Sequence, residues 1–364
     1  MVSRKIAIVA MAVALLGLAS AGPGQSQSSM SGTLVVGMPG TVEQIDPNYA
    51  VSSFSAQTVI ANIYDQLAEY GSHSASEGYL VDDTSKVVGA IAASYQMPLG
   101  SKQITLRLRD GLTFHDGTPL DANAVKFMFD RIIDLQSLAY GYLVLTGAKS
   151  KDSFVVNDPK SLTVRLSAPN PLALKLLSLE NVVAVNPKLI RAHASSTDPW
   201  ARNWLAGNDA GSGPFRLEKL APTSEVDLVR FDKYWKGPAK LQRVVIKIVP
   251  DAADRELSLA RGALDFISQV PPKDIATLQK NAGVTVLSIP SRTMQILGLN
   301  ATARPFNNAK VRQAICYAIP YDTIIKEVPV TVTQNVTVPV KDNKWMWIAL
   351  ALGALIVVMF LVKR

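Results

Sequence analysis

The sequence predicts an α/β fold built on mixed sheets, and three observations carry that prediction. Short apolar runs such as TLVVGM and VVIKIVP have the length of buried strands. Alternating runs such as ITLRLR read as half-buried hairpin strands, and between them lie segments whose apolar residues recur at helical spacing. Strands and helices interleave along the whole chain with no repeat at a fixed period, which is the pattern of an α/β protein and not of a solenoid.

In chain order, TLVVGMPG is a buried strand running into a loop, and FSAQTVIANIYDQLAEY places Ile60, Ile63 and Leu67 on one face of a helix. ITLRLR alternates Ile104, Leu106 and Leu108 with Thr105, Arg107 and Arg109, and the pairs Asp110-Gly111 and Asp116-Gly117 supply turns. Asp121 is placed to cap a helix whose buried stripe is Val125, Met128, Phe129 and Ile132. SFVVNDPKSLTVRLS is a hairpin around Asn157, Asp158 and Pro159. FRLEKLAPTSEVDLVRF is a second hairpin, followed by the strand VVIKIVP, the helix DAADRELSLARGALD and the strand DFISQV. A helix beginning near Pro272, strands in VTVLSI and MQILGLN, and a helix from Asn308 with Val311, Ile315, Ala318 and Ile319 in its stripe complete the series.

The ends read differently from the body. Residues 1–21 have a basic head at Arg4 and Lys5, an apolar run from Ile6 to Leu18, and the small residues Ala19, Ser20 and Ala21, which together predict a secretory signal peptide. Ile6 to Leu18 is short of the ~20 residues that span a bilayer, which disfavours an uncleaved anchor. Trp345 to Val362 is uncharged, opens with Trp345 and Trp347 and is followed by Lys363 and Arg364, and so predicts a transmembrane helix over 345–362. Export of one end and a basic stop at the other place the body outside the cell, with the C-terminus cytoplasmic. Residues 326–344, with alternating Val and Thr broken by Pro329 and Pro339, predict an extracellular stalk that reaches roughly 60 Å if extended. Asn300 and Asn335 stand in glycosylation-acceptor triplets.

The formal charge is +8, from 37 basic and 29 acidic residues. Setting aside Arg4, Lys5, Lys363 and Arg364 leaves 33 against 29, or +4, with no basic run; nucleic acid is thereby excluded as an expected partner. The single Cys316 lies on the apolar side of its helix and is expected to be a buried small hydrophobe. There is no His-Glu-x-x-His, no Gly-x-Ser-x-Gly, no phosphate loop and no cysteine cluster, and His73, His115 and His193 are scattered. No enzyme activity and no cofactor or metal are expected. Adjacent His115 and Asp116 point apart, so His115 reads as a turn residue. Gly211, Ser212 and Gly213 lack the third glycine of a dinucleotide fingerprint and read as a constrained loop, where a backbone or a ligand comes close.

The ordered motifs LRLRDGLTFHDGTPLDANAVKFMFDRI, GSGPFRLEKL, VRFDKYWKGPAKLQRVVIKIVPD, LARGALDFI and LGLNATARPFNNAKVRQAICYAIPYDTII resemble the family 5 extracellular solute-binding proteins of ATP-binding cassette importers, the peptide and nickel type. The resemblance covers Leu34 to Ile325. It implies a periplasmic-binding-protein-like fold (type II, class C), in which two lobes close on a small peptide or similar solute and present it to a membrane permease.

By that resemblance, 34–70 and 171–295 form the first lobe, 71–170 its extra subdomain, and 296–325 the start of a second lobe expected to be cut short. The solute-contacting candidates are the loop residues Met38, Pro39 and Gly40, the turn residues Gly211, Ser212 and Gly213, and the crossing strand at Met294, Gln295 and Ile296. A half-cleft predicts weak or undetectable affinity. The function implied is a membrane-anchored solute-binding component of an importer for peptides. A non-transporting interaction or sensory module on the cell surface is the alternative.

Overall fold

The computed structural model describes residues 32–50, 53–74, 80–287 and 297–321, and the backbone of 360–363. A mixed seven-stranded sheet is organised around β1 (Thr33–Met38), which pairs in parallel with β10 (Arg243–Ile248) on one side and with β11 (Phe266–Ile267) on the other. Beyond β10 the hairpin of β8 (Phe215–Ala221) and β9 (Glu225–Arg230) adds antiparallel strands; beyond β11 lie β13 (Phe360–Lys363) and β12 (Val284–Leu287). β1 reads as a continuous apolar run because parallel strands flank it and α1 (Phe54–Ile63) helps cover one of its faces.

A four-stranded antiparallel sheet, in the order β4 (Ala92–Gln96), β5 (Gln103–Leu108), β7 (Ser161–Arg165), β6 (Phe154–Asp158), packs against α2 (Ala122–Leu135) and α3 (Leu138–Thr146). The Asp121 carboxylate accepts the Ala124 N–H at 3.0 Å and so caps α2, whose Val125, Met128, Phe129 and Ile132 are buried in the stripe that the sequence predicts. The predicted turn of the β6–β7 hairpin falls at Pro159 and Lys160. Between the two sheets, β2 (Ala68–Ser74) and β3 (Leu80–Gly89) form a separate hairpin.

Each sheet has its own apolar core. Val36, Ile60, Phe215 and Ile246 belong to one; Leu67, Phe114, Phe129 and Leu162 to the other. The two are joined by a buried ionic weld. Arg131 of α2 donates Nη2 to Asp46 Oδ2 at 2.7 Å and Nη1 to Asp46 Oδ1 at 3.0 Å and to Asn48 Oδ1 at 2.5 Å, and both charged side chains have no exposed surface. Asn48 and Asn181 then exchange side-chain bonds with each other's neighbourhood, Asn48 Nδ2 to the Asn181 carbonyl and Asn181 Nδ2 to the Pro47 carbonyl.

Four expectations are corrected. The helix predicted to carry Ile60, Ile63 and Leu67 on one face ends at Ile63, and Leu67 is buried in the other core. The reason is tertiary: the Ile63 carbonyl accepts the Gly213 N–H at 3.0 Å, and Asp65 is drawn to three donors from distant loops. The strand predicted in DFISQV is only two residues long, because Gln269 turns into the left-handed backbone region with φ +54°. The helix predicted from Asn308 forms as α9 (Ala309–Ala318), after α4 (Ala173–Leu177), α5 (Pro187–His193), α6 (Arg202–Leu205), α7 (Ala252–Ala260) and α8 (Pro272–Gln279). None of the residues of α9 is buried and Cys316 is exposed, against the buried position expected for it, since an apolar stripe is buried only where an element faces it.

Finally, Phe360–Val362, the last residues of the predicted transmembrane helix, pair as β13. A short apolar run suits a central strand as well as a helix, so periodicity does not separate the two. Residues 345–359 lie outside the described residues, as do the predicted signal peptide, the stalk and Met294, Gln295 and Ile296. Among the described residues no helix is long and apolar enough to cross a membrane.

Candidate functional site

In an open α/β sheet, ligands bind outside the carboxyl ends of parallel strands, where loops diverge and backbone groups lose their sheet partners. A solvent-open groove of 510 Å3 lies at that end of β1 and β11. Pro39, Gly40 and Thr41, directly after β1, form one part of its wall; Phe54 and Ala56, in the first turn of α1, form another; Gln269, just past β11, forms a third. Glu43 and Gln44 add a carboxylate and a carboxamide, and no cationic side chain lines the groove among the described residues.

The loop after β1 is held by α1. Ser53 caps the helix, its Oγ accepting from the Ala56 N–H at 3.3 Å while donating to the Thr41 carbonyl at 2.6 Å. A Cβ on Gly40 would lie 3.2 Å from Ser55 Oγ and 3.5 Å from Ser53 Oγ, so the glycine lets the loop settle on the start of the helix. The loop's far end is anchored by the Asp46–Arg131 weld, and Val42 N–H donates to the Pro222 carbonyl at 2.8 Å. The groove wall is thus fixed at three points.

The sequence-predicted residues separate into groups. Pro39 and Gly40 line the groove, whereas Met38 is buried in the core beneath it. Gly211, Ser212 and Gly213 lie at the opposite end of α1, about 15 Å away for a helix of that length. A Cβ on Gly211 would sit 1.7 Å from the Ile63 carbonyl oxygen and one on Gly213 2.7 Å from that of Asn62, so what comes close to these glycines is backbone. Sequence reasoning did not single out Glu43, Gln44 or Gln269. The first two follow a strand-to-loop transition that marks the end of β1. Nothing in SQVPP announces that Gln269 faces outward.

A second concavity, of 440 Å3, lies between the β2–β3 hairpin and the sheet. Its floor includes Asp65, which accepts from Ser212 Oγ at 2.9 Å, Tyr234 Oη at 2.9 Å and Trp235 Nε1 at 3.2 Å. Burial raises the Asp65 carboxyl to about 6, and the three hydrogen bonds oppose that rise without cancelling it. Tyr234, half-buried, is pushed far above its ordinary range, by desolvation first and then by the Asp65 carboxylate beside it. At the rim, Lys236 pairs with Glu69 at 2.8 Å.

Close by, His115 Nδ1 faces Asp209 Oδ2 at 2.8 Å and Nε2 faces the Gly213 carbonyl at 2.9 Å, while Asp116 bonds to Thr118 and Asn186. The adjacent pair therefore points apart, as the sequence predicts, but His115 is a clasp between segments and not a turn residue alone. Among the described residues no group of His, Cys, Asp or Glu is arranged to hold a metal ion.

Comparison with known proteins places this architecture. Residues 86–347 match the family model described as bacterial extracellular solute-binding proteins, family 5 Middle. The chain is 29% identical over 322 residues to a probable D,D-dipeptide-binding periplasmic protein, DdpA, of Escherichia coli K12, covering 88% of this chain and 59% of that protein. It is 27% identical over 293 residues to the glutathione-binding protein GsiB of Pectobacterium atrosepticum, covering 80% of this chain and 52% of that one.

Among solved structures, DppA of Helicobacter pylori in complex with the peptide STSA superposes with a TM-score of 0.70 at 23% identity, covering 84% of this chain and 60% of that one, a likeness of fold. AgaA of A. tumefaciens R10, in complex with agropinic acid, superposes with a TM-score of 0.67 at 28% identity, covering 81% and 55%. The chain therefore spans between half and two thirds of the length of these relatives, with a mixed α/β fold of the periplasmic-binding-protein kind.

Proposed function

Because this chain belongs to the bacterial extracellular solute-binding proteins, family 5, we propose that it captures a short peptide or similar solute in the groove at the end of β1 and β11 and presents it to the membrane permease of an ATP-binding cassette importer. The observation that carries the reading is the position of that groove: Pro39 and Gly40 follow one parallel strand and Gln269 follows the next, so loops from neighbouring strands converge on one opening. The carboxamides of Gln44 and Gln269 at such an opening suit the amide groups of an extended peptide, which are the same for every sequence. The names of DdpA and DppA support a peptide solute.

The first lobe is read as 34–70 with 171–295, and the extra subdomain as 71–170. Pro39 and Gly40 are proposed as solute contacts on the strength of the groove. Met38 supports the groove from beneath, Gly211, Ser212 and Gly213 lie at the far end of α1 and are not proposed as contacts there, and Met294, Gln295 and Ile296 stay proposed contacts on the family resemblance.

Among the described residues Glu43 is the one carboxylate lining the groove and no cationic side chain lines it, so an unblocked amino terminus is the end of a peptide it attracts. In a titration of the full chain followed by NMR, tri-alanine is expected to produce saturable shifts with weak affinity, on the order of 1 mM or about −4 kcal/mol. N-acetyl tri-alanine is expected to bind several-fold more weakly. A chain unmoved by tri-alanine, D-alanyl-D-alanine and glutathione at 10-fold that concentration, roughly 10 mM, does not have this function.

The apolar run 345–362 is proposed as the anchor that keeps the body at the outer face of the membrane. Insertion of that run and pairing of 360–363 as β13 are alternative placements of the same residues. When cells expressing the full chain are lysed and membranes washed at pH 11 (alkaline extraction, about 0.1 M carbonate), the protein is expected in the pellet with the lipid, as for an inserted helix. Complete release into the supernatant refutes the anchor and leaves the solute-binding reading intact.

A further inference from the structure

Of the three described non-glycine residues with positive φ, Gln136 closes α2 and Ala201 opens α6, each at a helix end where a change of chain direction is required. Gln269, at φ +54°, is at neither end of a helix. A left-handed conformation is unfavourable for a residue with a Cβ, and Gly or Asn would occupy it at less cost. Strain retained at a groove wall is a reason to look for a role.

The local geometry shows what the strain accomplishes. Phe266, Ile267 and Ser268 are buried in succession, Val270 is buried again, and Gln269 alone between them is exposed. The left-handed turn therefore lifts one carboxamide out of an otherwise buried segment and into the groove that Pro39 and Gly40 line. Without it, the alternation of an extended chain would put residues 267 and 269 on the same side.

The turn is pinned by a buried cation. Arg255 is 3% exposed, and its described hydrogen bonds all go to main-chain carbonyls: Nη1 to Val249 at 2.7 Å and Pro250 at 2.8 Å, Nη2 to Gln269 at 3.2 Å. Val249 and Pro250 follow β10, and Gln269 follows β11, so a single guanidinium ties together the loops leaving two strands that both pair with β1. The hydrogen bonds of this buried guanidinium go to neutral carbonyls, with the carboxylates of Asp251 and Glu256 near enough to favour its charge against the cost of burial.

We infer that Gln269 is a solute-contacting, specificity-determining residue, whose carboxamide makes paired hydrogen bonds with a peptide group of the solute, and that Arg255 is its positioning residue. A carboxamide has one donor side and one acceptor side, as a peptide unit has, so the pairing selects amide-bearing solutes over simple carboxylates. This inference rests on the solute-binding reading of the groove.

The test uses the full chain, with tri-alanine as the probe and melting temperature as an independent readout, on Gln269→Gly, Gln269→Asn, Arg255→Lys and the Gln269→Gly/Arg255→Lys pair. Gln269→Gly is expected to raise the melting temperature by a few degrees while weakening tri-alanine at least fivefold, and Gln269→Asn to retain part of the binding. In the Arg255→Lys background the thermal gain from Gln269→Gly is expected to vanish, because the turn is no longer held under strain. Should Arg255→Lys fail to fold, the two Gln269 variants decide the matter alone. Tri-alanine binding by Gln269→Gly within twofold of the wild type overturns the inference and leaves the solute-binding reading standing. A wild-type chain unmoved by tri-alanine, D-alanyl-D-alanine and glutathione overturns both, and the two failures are told apart by the wild-type titrations themselves; should only one of the last two bind, it replaces tri-alanine as the probe under the same thresholds.

Discussion

Arg131→Met is expected to cost the folded protein about 3–5 kcal/mol, enough to unfold a large fraction of a marginally stable domain. The reason is what the substitution leaves behind. Asp46 has no exposed surface and receives both of its charged hydrogen bonds from Arg131, at 2.7 and 3.0 Å, with the Asn48 N–H as a third donor. Methionine fills much of the same volume but supplies no donor, so a carboxylate is stranded in a closed, low-dielectric site. The loss is measured by urea unfolding at neutral pH. Adding Asp46→Asn to Arg131→Met is expected to recover at least half of it, because the amide carries no charge and its oxygen still accepts from Asn48. A single variant within about 1 kcal/mol of wild type would mean that water or another cation reaches Asp46, and the weld would lose its importance. The consequence reaches the groove as well, since the segment from Pro39 to Ala50 lines it and is held at this far end.

The parts of this fold that were legible in the sequence are those decided locally. Asp121 caps α2 because its side chain reaches an N–H three residues on, and the stripe of Val125, Met128, Phe129 and Ile132 follows from helical spacing alone. The hairpins β6–β7 and β8–β9 are written in alternation and turn residues. What escaped was decided by distant partners. Nothing within FSAQTVIANIYDQLAEY stops its helix at Ile63; the stop comes from Gly213, 150 residues later, docking on the Ile63 carbonyl, and from Ser212 and Tyr234 drawing Asp65 aside. Pro39 and Gly40, candidates through the family resemblance, line the groove because they form the loop that the sequence predicts directly after β1. The outward turn of Gln269 was not legible because the Arg255 bond that holds it comes from fourteen residues away in the chain, and no residue type around it favours a positive φ.

The same tertiary override makes Asp65 a group whose removal should help. Folding buries this carboxyl and raises it from 3.8 to about 6, with desolvation the leading cause. The sign follows from proton counting. Between about pH 4 and 6 the folded chain holds a proton that the unfolded chain has released, so the contribution of Asp65 to stability falls as pH rises through that window. Above it the cost is constant, at about 3 kcal/mol for a shift of some two units; below about pH 4 it is absent.

Asp65→Asn removes the titration and keeps the geometry. The Asn oxygen accepts from Tyr234 and Trp235, which share one carboxylate oxygen, and its amide donates to the Ser212 hydroxyl, which turns from donor to acceptor. Urea unfolding of both proteins from pH 4 to 7.5 separates this group from all others, because every other carboxyl titrates alike in the two. The difference in stability, variant minus wild type, is expected to grow by about 2–3 kcal/mol in favour of Asp65→Asn across that range, most of it between pH 4 and 6. Parallel curves would mean that the three hydrogen bonds fully replace the lost hydration, and that the carboxylate is as comfortable inside the protein as in water.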